Sequence, residues 1–309
     1  MLHSGLTRCS VLLLFFAMGC GSSDDDASSA SGQGGAGATS GSAEGGAGGG
    51  FTTGPGASSG TGSGAEVCDG VDNDNNGIID DLDVGGDGIC DCLRIATLGL
   101  AGTWGVGDVF AAWLDARSDN GAVDLNDQVL TTALLDEYQV VVAQDVSKMN
   151  RSYAPEEVMA LQQWVQGGGG FMTLIGYADP DELANVNLLL APYGMSYLPE
   201  QILQKQGGNT VPVTNWVAHP VTQGITLLGV DNGYPVQGMG TTLATEQGYD
   251  MLKAQEIGPG HVLMWGDEWI TYDSEWTGHP DYQVEQFWLN AIKWLTPAED
   301  CQVPLPEPK

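Results

Sequence analysis

The stretch APEEVMALQQWVQGGGGFMTLIGY, from Ala154 to Tyr177, decides the fold. Its first half has apolar residues at helical spacing, with Pro155 near the first position and glycines after the last, which is typical of a helix with both ends marked. From Gly170 it continues as a short apolar run of the kind found in strands buried on both faces. A helix followed directly by a buried strand predicts one repeat of an α/β sheet.

The same alternation extends in both directions from Leu93. Strand patterns are LRIATLGL (93–100), EYQVVVAQD (137–145) and GHVLMWGD (260–267), and helix patterns are GDVFAAWLDAR (107–117), DPDELANVNLLLAPYG (179–194) and DYQVEQFWLNAIKWL (281–295). Residues 199–256 are less periodic and predict short antiparallel pieces. The pattern therefore predicts an α/β domain over 93–298, with a mainly parallel sheet flanked by helices, and a tail over 299–309.

Charge excludes one class of partner. The chain of 309 residues has 40 Asp and Glu against 9 Lys and Arg, which gives a formal net charge of −31. Such a chain repels phosphate backbones, so we expect no binding to nucleic acid.

The N-terminus has the features of a targeting segment. Residues 1–19 contain a short charged region ending at Arg8 and an apolar run too short to span a bilayer. The residues ending at Cys20 resemble the lipobox of bacterial lipoproteins, although Ala17 stands where that family usually has Leu. The resemblance implies a lipid anchor on Cys20, a membrane partner, and a place in the bacterial cell envelope, at the outer membrane or cell surface. An ordinary secretory signal, cleaved elsewhere, is the alternative.

Residues 20–65 consist mainly of Gly, Ser, Ala and Thr. Such a segment buries too little apolar surface to offset its ordering entropy, so it predicts a disordered tether. A flexible coil of this length reaches about 35–40 Å.

The acidic stretch CDGVDNDNNGIIDD, from Cys68 to Asp81, predicts a cation site within a metal-binding loop over 66–92. Calcium loops of the EF-hand type take oxygen ligands at positions 1, 3, 5, 7, 9 and 12, with Gly at position 6. Counted from position 1, the ligands are Asp72, Asp74, Asn76, the Ile78 carbonyl, Asp80 and Asp83, with Gly77 at position 6. An all-oxygen set without His favours calcium. We expect no basic group near these carboxylates and a core separate from that of the α/β domain.

The stretch is also similar to a metal-binding repeat of bacterial secreted proteins and to thrombospondin type 3 repeats. It departs from the bacterial repeat at Asn75 and Asn76, where that family usually has Cys-Asp, so one ligand is neutral. The alternative interpretation is a solvated acidic linker, because Asp, Asn and Gly are also turn formers.

Cysteine usage predicts an oxidising compartment. With Cys20 acylated and the signal removed, four cysteines remain: Cys68, Cys90, Cys92 and Cys301. Cys90 and Cys92 are too close in sequence to pair comfortably, so one should bond to Cys68 and the other to Cys301. We expect Cys68–Cys90 and Cys92–Cys301, with free thiols as the alternative.

The order of elements, with LDEYQVVVAQD, LQQWVQGGGGFMTLIG and the His219-Pro220 turn of AHPVTQGI, resembles the class I glutamine amidotransferase-like superfamily, including ThuA-like domains. The resemblance covers about 93–297 and implies a flavodoxin-like arrangement of strands. Active members carry a nucleophilic Cys on the turn after the strand that here reads FMTLIGYADP, but residues 176–179 hold neither Cys nor Ser. The resemblance therefore implies no glutaminase or peptidase chemistry and no catalytic residue. His279 echoes that superfamily's catalytic His, but alone it is better explained as a helix cap.

In open α/β sheets, ligands bind beyond the carboxyl ends of the strands. The residues expected in such a crevice are Trp104, Asp145, Tyr177, Asp179, Asp267, Glu268, Trp269, Tyr272, Asp273, Trp276 and His279. Aromatic rings interleaved with carboxylates suit a glycan, but they also suit plain packing and capping.

Three functions follow from these expectations. The first is a surface lipoprotein whose calcium loop stiffens a stalk and whose non-catalytic α/β domain binds a glycan or an envelope protein. The second is a glycan-directed hydrolase that uses paired carboxylates such as Glu268 and Asp273. The third is a structural envelope protein. We favour the first or third.

Overall fold

The computed structural model describes residues 64–99, 105–146, 151–176 and 180–306. The strands are β1 (Ile95–Gly99), β2 (Val123–Asp124), β3 (Val140–Gln144), β4 (Gly170–Leu174), β5 (Met195–Tyr197), β6 (Val211–Val213), β7 (Asn215–Trp216), β8 (Leu228–Val230), β9 (Val236–Gly238), β10 (Thr241–Glu246), β11 (Tyr249–Ile257) and β12 (Gly260–Trp265). The helices are α1 (Asp108–Asp115), α2 (Thr132–Leu135), α3 (Pro155–Gln166), α4 (Pro180–Leu190), α5 (Asp273–Gly278) and α6 (Val284–Leu295). In the described part of the chain, no helix is both long and apolar enough to cross a membrane.

One mixed sheet of eight strands organises the domain, in the order β2-β1-β3-β4-β12-β11-β10-β7. The strands from β2 to β12 in this order run parallel to their neighbours, and β11, β10 and β7 continue the sheet in antiparallel fashion. Two small antiparallel pairs, β5 with β9 and β6 with β8, lie outside it. The predicted fold class, a mainly parallel sheet flanked by helices, is confirmed.

Helices cover both faces of this sheet. On one face Phe110 of α1 and Trp288 of α6 pack in a buried cluster, with their ring centroids 4.4 Å apart. On the other face Leu161 of α3 and Leu189 of α4 belong to a second buried cluster. Successive residues of β3 alternate between the two clusters, as expected for a strand with both faces covered.

A buried ion pair fixes the start of α3. Arg151 pairs with Glu157 and donates to the carbonyl of Leu125 at 2.6 Å. Burial alone would raise the pKa of Glu157, but hydrogen bonds from the amides of Ala154 and Leu130 and from Arg151 lower it. The carboxylate is thereby kept ionised inside the domain, where it ties the loop before α2 to α3.

The disulfides are Cys68–Cys92 and Cys90–Cys301, with Cα–Cα distances of 5.2 and 5.4 Å. The expectation of two bonds is confirmed, but the expected pairing is wrong. The amide of Leu93 donates to the carbonyl of Cys90 at 3.3 Å, which closes a turn at 91–92. This turn leaves Cys90 against the C-terminal segment and directs Cys92 towards Cys68.

The acidic loop was expected to have a core of its own, and this expectation is wrong. Ile89, Cys90 and Cys92 are buried in the same cluster as the residues of α6. The backbone of Ile79 also pairs with the C-terminal segment, because the amide of Cys301 donates to its carbonyl at 2.9 Å. The loop has too few apolar residues to indicate from the sequence that the segment around Cys301 packs against it.

The expectation that no basic group lies near the predicted ligand carboxylates is wrong for Asp83. Arg117, which follows α1, approaches Asp87 at 3.1 Å. Burial lowers the pKa of Lys293, on α6, to about 8. The carboxylates of Asp81 and Asp83 interact with its ammonium group and oppose this shift. Both cations are far from the loop in sequence and are brought to it by the fold.

Candidate functional site

The carboxyl ends of β3 and β12 lie on either side of β4, and buried polar side chains connect them. Gln144, the last residue of β3, donates from Nε2 to Glu268 Oε2 at 3.2 Å and to Thr271 Oγ1 at 2.8 Å. Glu268 is 1% exposed and is also hydrogen-bonded to Tyr272. The fold therefore brings together two predicted crevice residues, Glu268 and Tyr272, with Gln144 and Thr271, which the sequence did not single out.

The carboxyl group of Glu268 is shielded from water. Burial raises the pKa of Glu268 to about 7, hydrogen bonds from Tyr272 and Gln144 oppose the shift, and the charge of Asp145 adds to it. The backbone after β4 closes one side, because a Cβ on Gly176 would lie 1.9 Å from Glu268 Oε1. The acid thus lies directly against the backbone that follows β4.

Asp267 and Trp269 take part in a neighbouring polar cluster. Asp267 is fully buried; it accepts hydrogen bonds from the amides of Asp231 and Trp269, and burial raises its pKa well above the usual range. Asp231 pairs with Lys205 at 3.3 Å, and the Lys205 ammonium lies 4.1 Å from the ring centroid of Trp269. One ring face of Trp269 is therefore covered by a cation.

Asp273 and Trp276 hold α1 in place. Asp273 Oδ1 accepts a hydrogen bond from the amide of Val109 at 2.9 Å, in the first turn of α1. The ring of Trp276 packs 6.1 Å from that of Phe110, centroid to centroid. Glu268 and Asp273, the pair suggested for a hydrolase, thus bind different partners: Glu268 is held by side chains at the sheet edge, and Asp273 by a helix N-terminus.

His279 contacts Glu275 rather than Glu268. It follows the last residue of α5, the position of a helix cap, and its Nε2 lies 4.0 Å from Glu275 Oε1. Its ring stacks on Tyr282 with centroids 4.6 Å apart. Glu275 is 1% exposed, and burial raises its pKa to about 7. His279 and Glu275 form a second polar cluster.

Of the other predicted crevice residues, Trp104, Tyr177 and Asp179 lie outside the described residues. Asp145 directly follows β3 and is 5% exposed, with a left-handed backbone angle φ of 48°. Cys20 and residues 1–63 also lie outside the described part.

The chemistry that this edge can perform is limited. A carboxyl group with a pKa near 7 suits general acid-base catalysis. However, Glu268 is enclosed by Gln144, Tyr272 and Gly176, and catalysis needs access to a substrate proton within hydrogen-bond reach. The same groups explain Glu268 as a structural acid.

The residues that could hold a cation are in the acidic loop. Glu66, Asp72 and Asp74 each offer a carboxylate oxygen, and these atoms lie within 4.8 Å of one another. Asp72 accepts hydrogen bonds from the amides of Asn76 and Gly77, at 3.1 and 2.9 Å, which folds the loop around its first position. A calcium ion takes about six to eight oxygen ligands, of which these carboxylates would supply three.

The other predicted side-chain ligands make hydrogen bonds within the loop. Asp80 accepts hydrogen bonds from the amides of residues 69 and 70, and Asp83 from those of residues 86–88. Asn76 donates to Asp81 at 2.8 Å and accepts from the amide of Ile78 at 2.8 Å. Glu66, which the twelve-residue spacing does not include, takes a place beside Asp72 and Asp74.

Comparison with solved structures supports the fold. The chain is similar to the cytoplasmic protein STM1381 from Salmonella typhimurium LT2, with a TM-score of 0.53 and 15% identity over 66% of this chain and 100% of that one. It is also similar to the cytoplasmic protein STM3548 from Salmonella typhimurium (TM-score 0.45, 13% identity, 66% of this chain and 100% of that one) and to a protein described as ThuA-like from Bacteroides uniformis ATCC 8492 (TM-score 0.41, 12% identity, 65% and 91%).

No family model matches the sequence, and no curated protein matches it. At 15% identity the first likeness shows the fold alone. The chain is thus an α/β protein with a mixed, mostly parallel sheet.

Sequence reasoning missed Gln144, Thr271 and Glu66. A glutamine at the end of the apolar run VVVAQ was the available signal for Gln144, because a polar residue there lies at the carboxyl edge of the sheet. Glu66 had a weaker signal, an acid just before Cys68.

Proposed function

We propose that this chain is a lipid-anchored protein of the bacterial cell envelope, with a non-catalytic α/β domain that contacts an envelope protein or has a structural role. The observation that carries the non-catalytic part of the proposal is the enclosure of Glu268. This acid, whose pKa is raised to about 7, is packed against Gly176, and residues 176–179 include neither Cys nor Ser.

A protein contact or a structural role explains the aromatic residues better than a glycan platform. A sugar needs an open ring face to pack on. Trp269 lies under Lys205, Tyr272 is 1% exposed, and Trp276 packs with Phe110. The aromatic crevice residues in the described part of the chain therefore contribute to packing.

The disulfides support the proposed compartment. Disulfides such as Cys68–Cys92 and Cys90–Cys301 persist in oxidising compartments and are rare in the cytosol. The lipid anchor itself rests on the sequence ending at Cys20. We further propose that calcium binds the carboxylates of Glu66, Asp72 and Asp74 and stiffens the segment that joins the tether to the domain.

Cell fractionation tests the proposed membrane localisation. The full chain, expressed in a bacterium that processes lipoproteins, should sediment with membranes, and Cys20→Ala should move it to the soluble fraction. Cys9→Ala is the matched control, since it removes a cysteine from the signal and should change nothing. Membrane retention of Cys20→Ala, or a soluble wild-type protein, would show that Cys20 is not the anchor.

A further inference from the structure

The two disulfides differ in how far they are buried. Cys90 and Cys301, which form one bond, are 1% and 3% exposed. In the other bond Cys92 is 6% exposed, whereas Cys68 lies in the exposed stretch 67–71. Thiol–disulfide exchange requires a thiolate to reach one of the two sulfur atoms, and exposed disulfides are the labile ones. Of the two bonds, the one at Cys68 is therefore the one open to a reductant in solution.

The acidic segment, defined as residues 64–78, is fastened to the domain by this exposed bond. In the described part of the chain, the hydrogen bonds of the acidic segment all have their partners within residues 64–81. Among the described residues, no member of the segment belongs to the two buried clusters or to an ion pair. The first hydrogen bonds from the loop to the C-terminal segment lie further along the chain, at Ile79.

The rest of the loop is held by other contacts. The buried bond Cys90–Cys301 joins it to the C-terminal segment. The carbonyl of Leu82 accepts a hydrogen bond from the amide of Asp91 at 2.6 Å, and the side chain of Leu82 packs against the buried cluster that contains α6. Opening the exposed bond should therefore free the acidic segment and leave the α/β domain folded.

Exchange at the exposed bond needs only a dithiol. A thiolate of the dithiol attacks Cys68 Sγ, the S–S bond breaks, and its electron pair leaves on Cys92 Sγ, which takes up a proton. The second thiol of the reductant then attacks its own sulfur in the mixed disulfide, which gives the oxidised reductant and releases Cys68 as a thiol. Two electrons pass from the dithiol to the protein. Because the freed Cys92 is only two residues from Cys90, the two cannot pair comfortably, and the exchange should end after one bond.

We propose that Cys68–Cys92 is a site of thiol–disulfide exchange with a dithiol, and that its reduction releases the acidic segment while Cys90–Cys301 and the α/β domain stay intact. The site is independent of the membrane anchor and of the non-catalytic role proposed above.

Reduction should also weaken the coupling between calcium binding and the stability of the domain, a step that rests on the calcium site proposed above. Glu66 lies two residues before Cys68, and its carboxylate accepts hydrogen bonds from the amides of Asp74 and Asp80, each at 3.2 Å. Without the disulfide, these carboxylates are no longer cross-linked to the domain, so calcium should raise its thermal midpoint less than in the oxidised protein. The thiols are mapped without calcium, so a failure of calcium to bind would leave the exchange site standing.

Timed reduction of the folded full chain tests the site. The protein is treated with dithiothreitol without calcium, quenched with acid, alkylated in denaturant and mapped by peptide mass spectrometry. Cys68 and Cys92 should appear as thiols at least about tenfold faster than Cys90 and Cys301, a difference of about 1.4 kcal/mol in the barrier. In urea that unfolds the chain the two rates should converge, because burial no longer distinguishes the bonds.

Hydrogen exchange measures the release of the acidic segment. After selective reduction of the wild type, the amides of residues 69–77 should exchange faster, and those of β3 and β4 should not change. Cys68→Ser combined with Cys92→Ser should reproduce this pattern. Cys90→Ser combined with Cys301→Ser is the matched control and should keep the slower exchange of residues 69–77, once circular dichroism shows that both variants are folded.

Three results would overturn the proposal. The first is a Cys68–Cys92 bond that is reduced no faster than Cys90–Cys301 in the folded protein. The second is unchanged exchange of residues 69–77 after the exposed bond has opened. The third is faster exchange in β3 and β4 as well, which would mean that the bond supports the whole domain.

Discussion

The buried carboxyl group of Glu268 makes a definite prediction about stability and pH. Its pKa is raised from 4.5 to about 7 by burial, so between these values the folded protein holds a proton that the unfolded chain has released. Stability from this group is fully present below pH 4.5 and falls as the pH rises through 7, since the folded state binds more protons. Glu268→Gln cannot ionise and should lose this dependence.

The magnitude follows from the shift. One pKa unit corresponds to about 1.4 kcal/mol, so a shift from 4.5 to about 7 amounts to roughly 3 kcal/mol between about pH 4 and about pH 8. Glu275 also has a raised pKa, but it is present in both proteins and cancels in the difference. The charge of Glu268 adds to the raised pKa of Asp267, so Glu268→Gln also removes that smaller contribution. The substitution keeps an acceptor oxygen near Tyr272 and nearly the same shape.

Urea unfolding at several pH values measures this effect. The free energy of unfolding of Glu268→Gln, relative to the wild type, should rise by roughly 3 kcal/mol from about pH 4 to about pH 8. Glu200→Gln, at an exposed glutamate, is the control and should follow the wild type. Parallel curves for wild type and Glu268→Gln would refute the burial of this carboxyl group.

Two further predictions concern the acidic loop and the ion pair of α3. Because the loop shares the domain core, calcium at 100 times its dissociation constant should stabilise the whole domain by about 2.7 kcal/mol in thermal unfolding. Asp72→Ala or Glu66→Gln should abolish the stabilisation by calcium, and Asp83→Asn should retain it. If Asp83→Asn abolishes the stabilisation and Glu66→Gln does not, the ligands are those of the twelve-residue spacing. Arg151→Met leaves Glu157 buried without its cation and should cost about 3–5 kcal/mol in denaturant unfolding at neutral pH, with partial recovery when Glu157→Gln is added. An unchanged midpoint in Arg151→Met would contradict the buried pair.

The strands and helices with the clearest sequence patterns could be predicted, because each has a local signal of its own. β3, β4 and β12 are continuous apolar runs, and α3 has Pro155 at its start and glycines after its end. The short antiparallel pieces predicted over 199–256 are present and include β6, β8 and β9. Their bounds and partners could not be predicted, because each has three residues and exists only through a partner far along the chain, which for β9 is β5.

The candidate site was predicted in part, for a similar reason. Glu268 and Tyr272 could be placed at the carboxyl edge because they follow an apolar strand, but the enclosure of Glu268 depends on Gly176, which belongs to another strand end. The disulfide pairing was missed because a local turn at 91–92, not sequence distance, directs Cys92.

The most direct test of the central proposal, that the α/β domain is non-catalytic, is a turnover assay of the purified full chain against chromogenic glycoside, ester, peptide and glutamine substrates. The wild type and Glu268→Gln should give the same rates as buffer, and Asp273→Asn should do so as well. Turnover by the wild type that Glu268→Gln abolishes, while the variant remains folded, would contradict the claim and assign Glu268 as a catalytic acid or base.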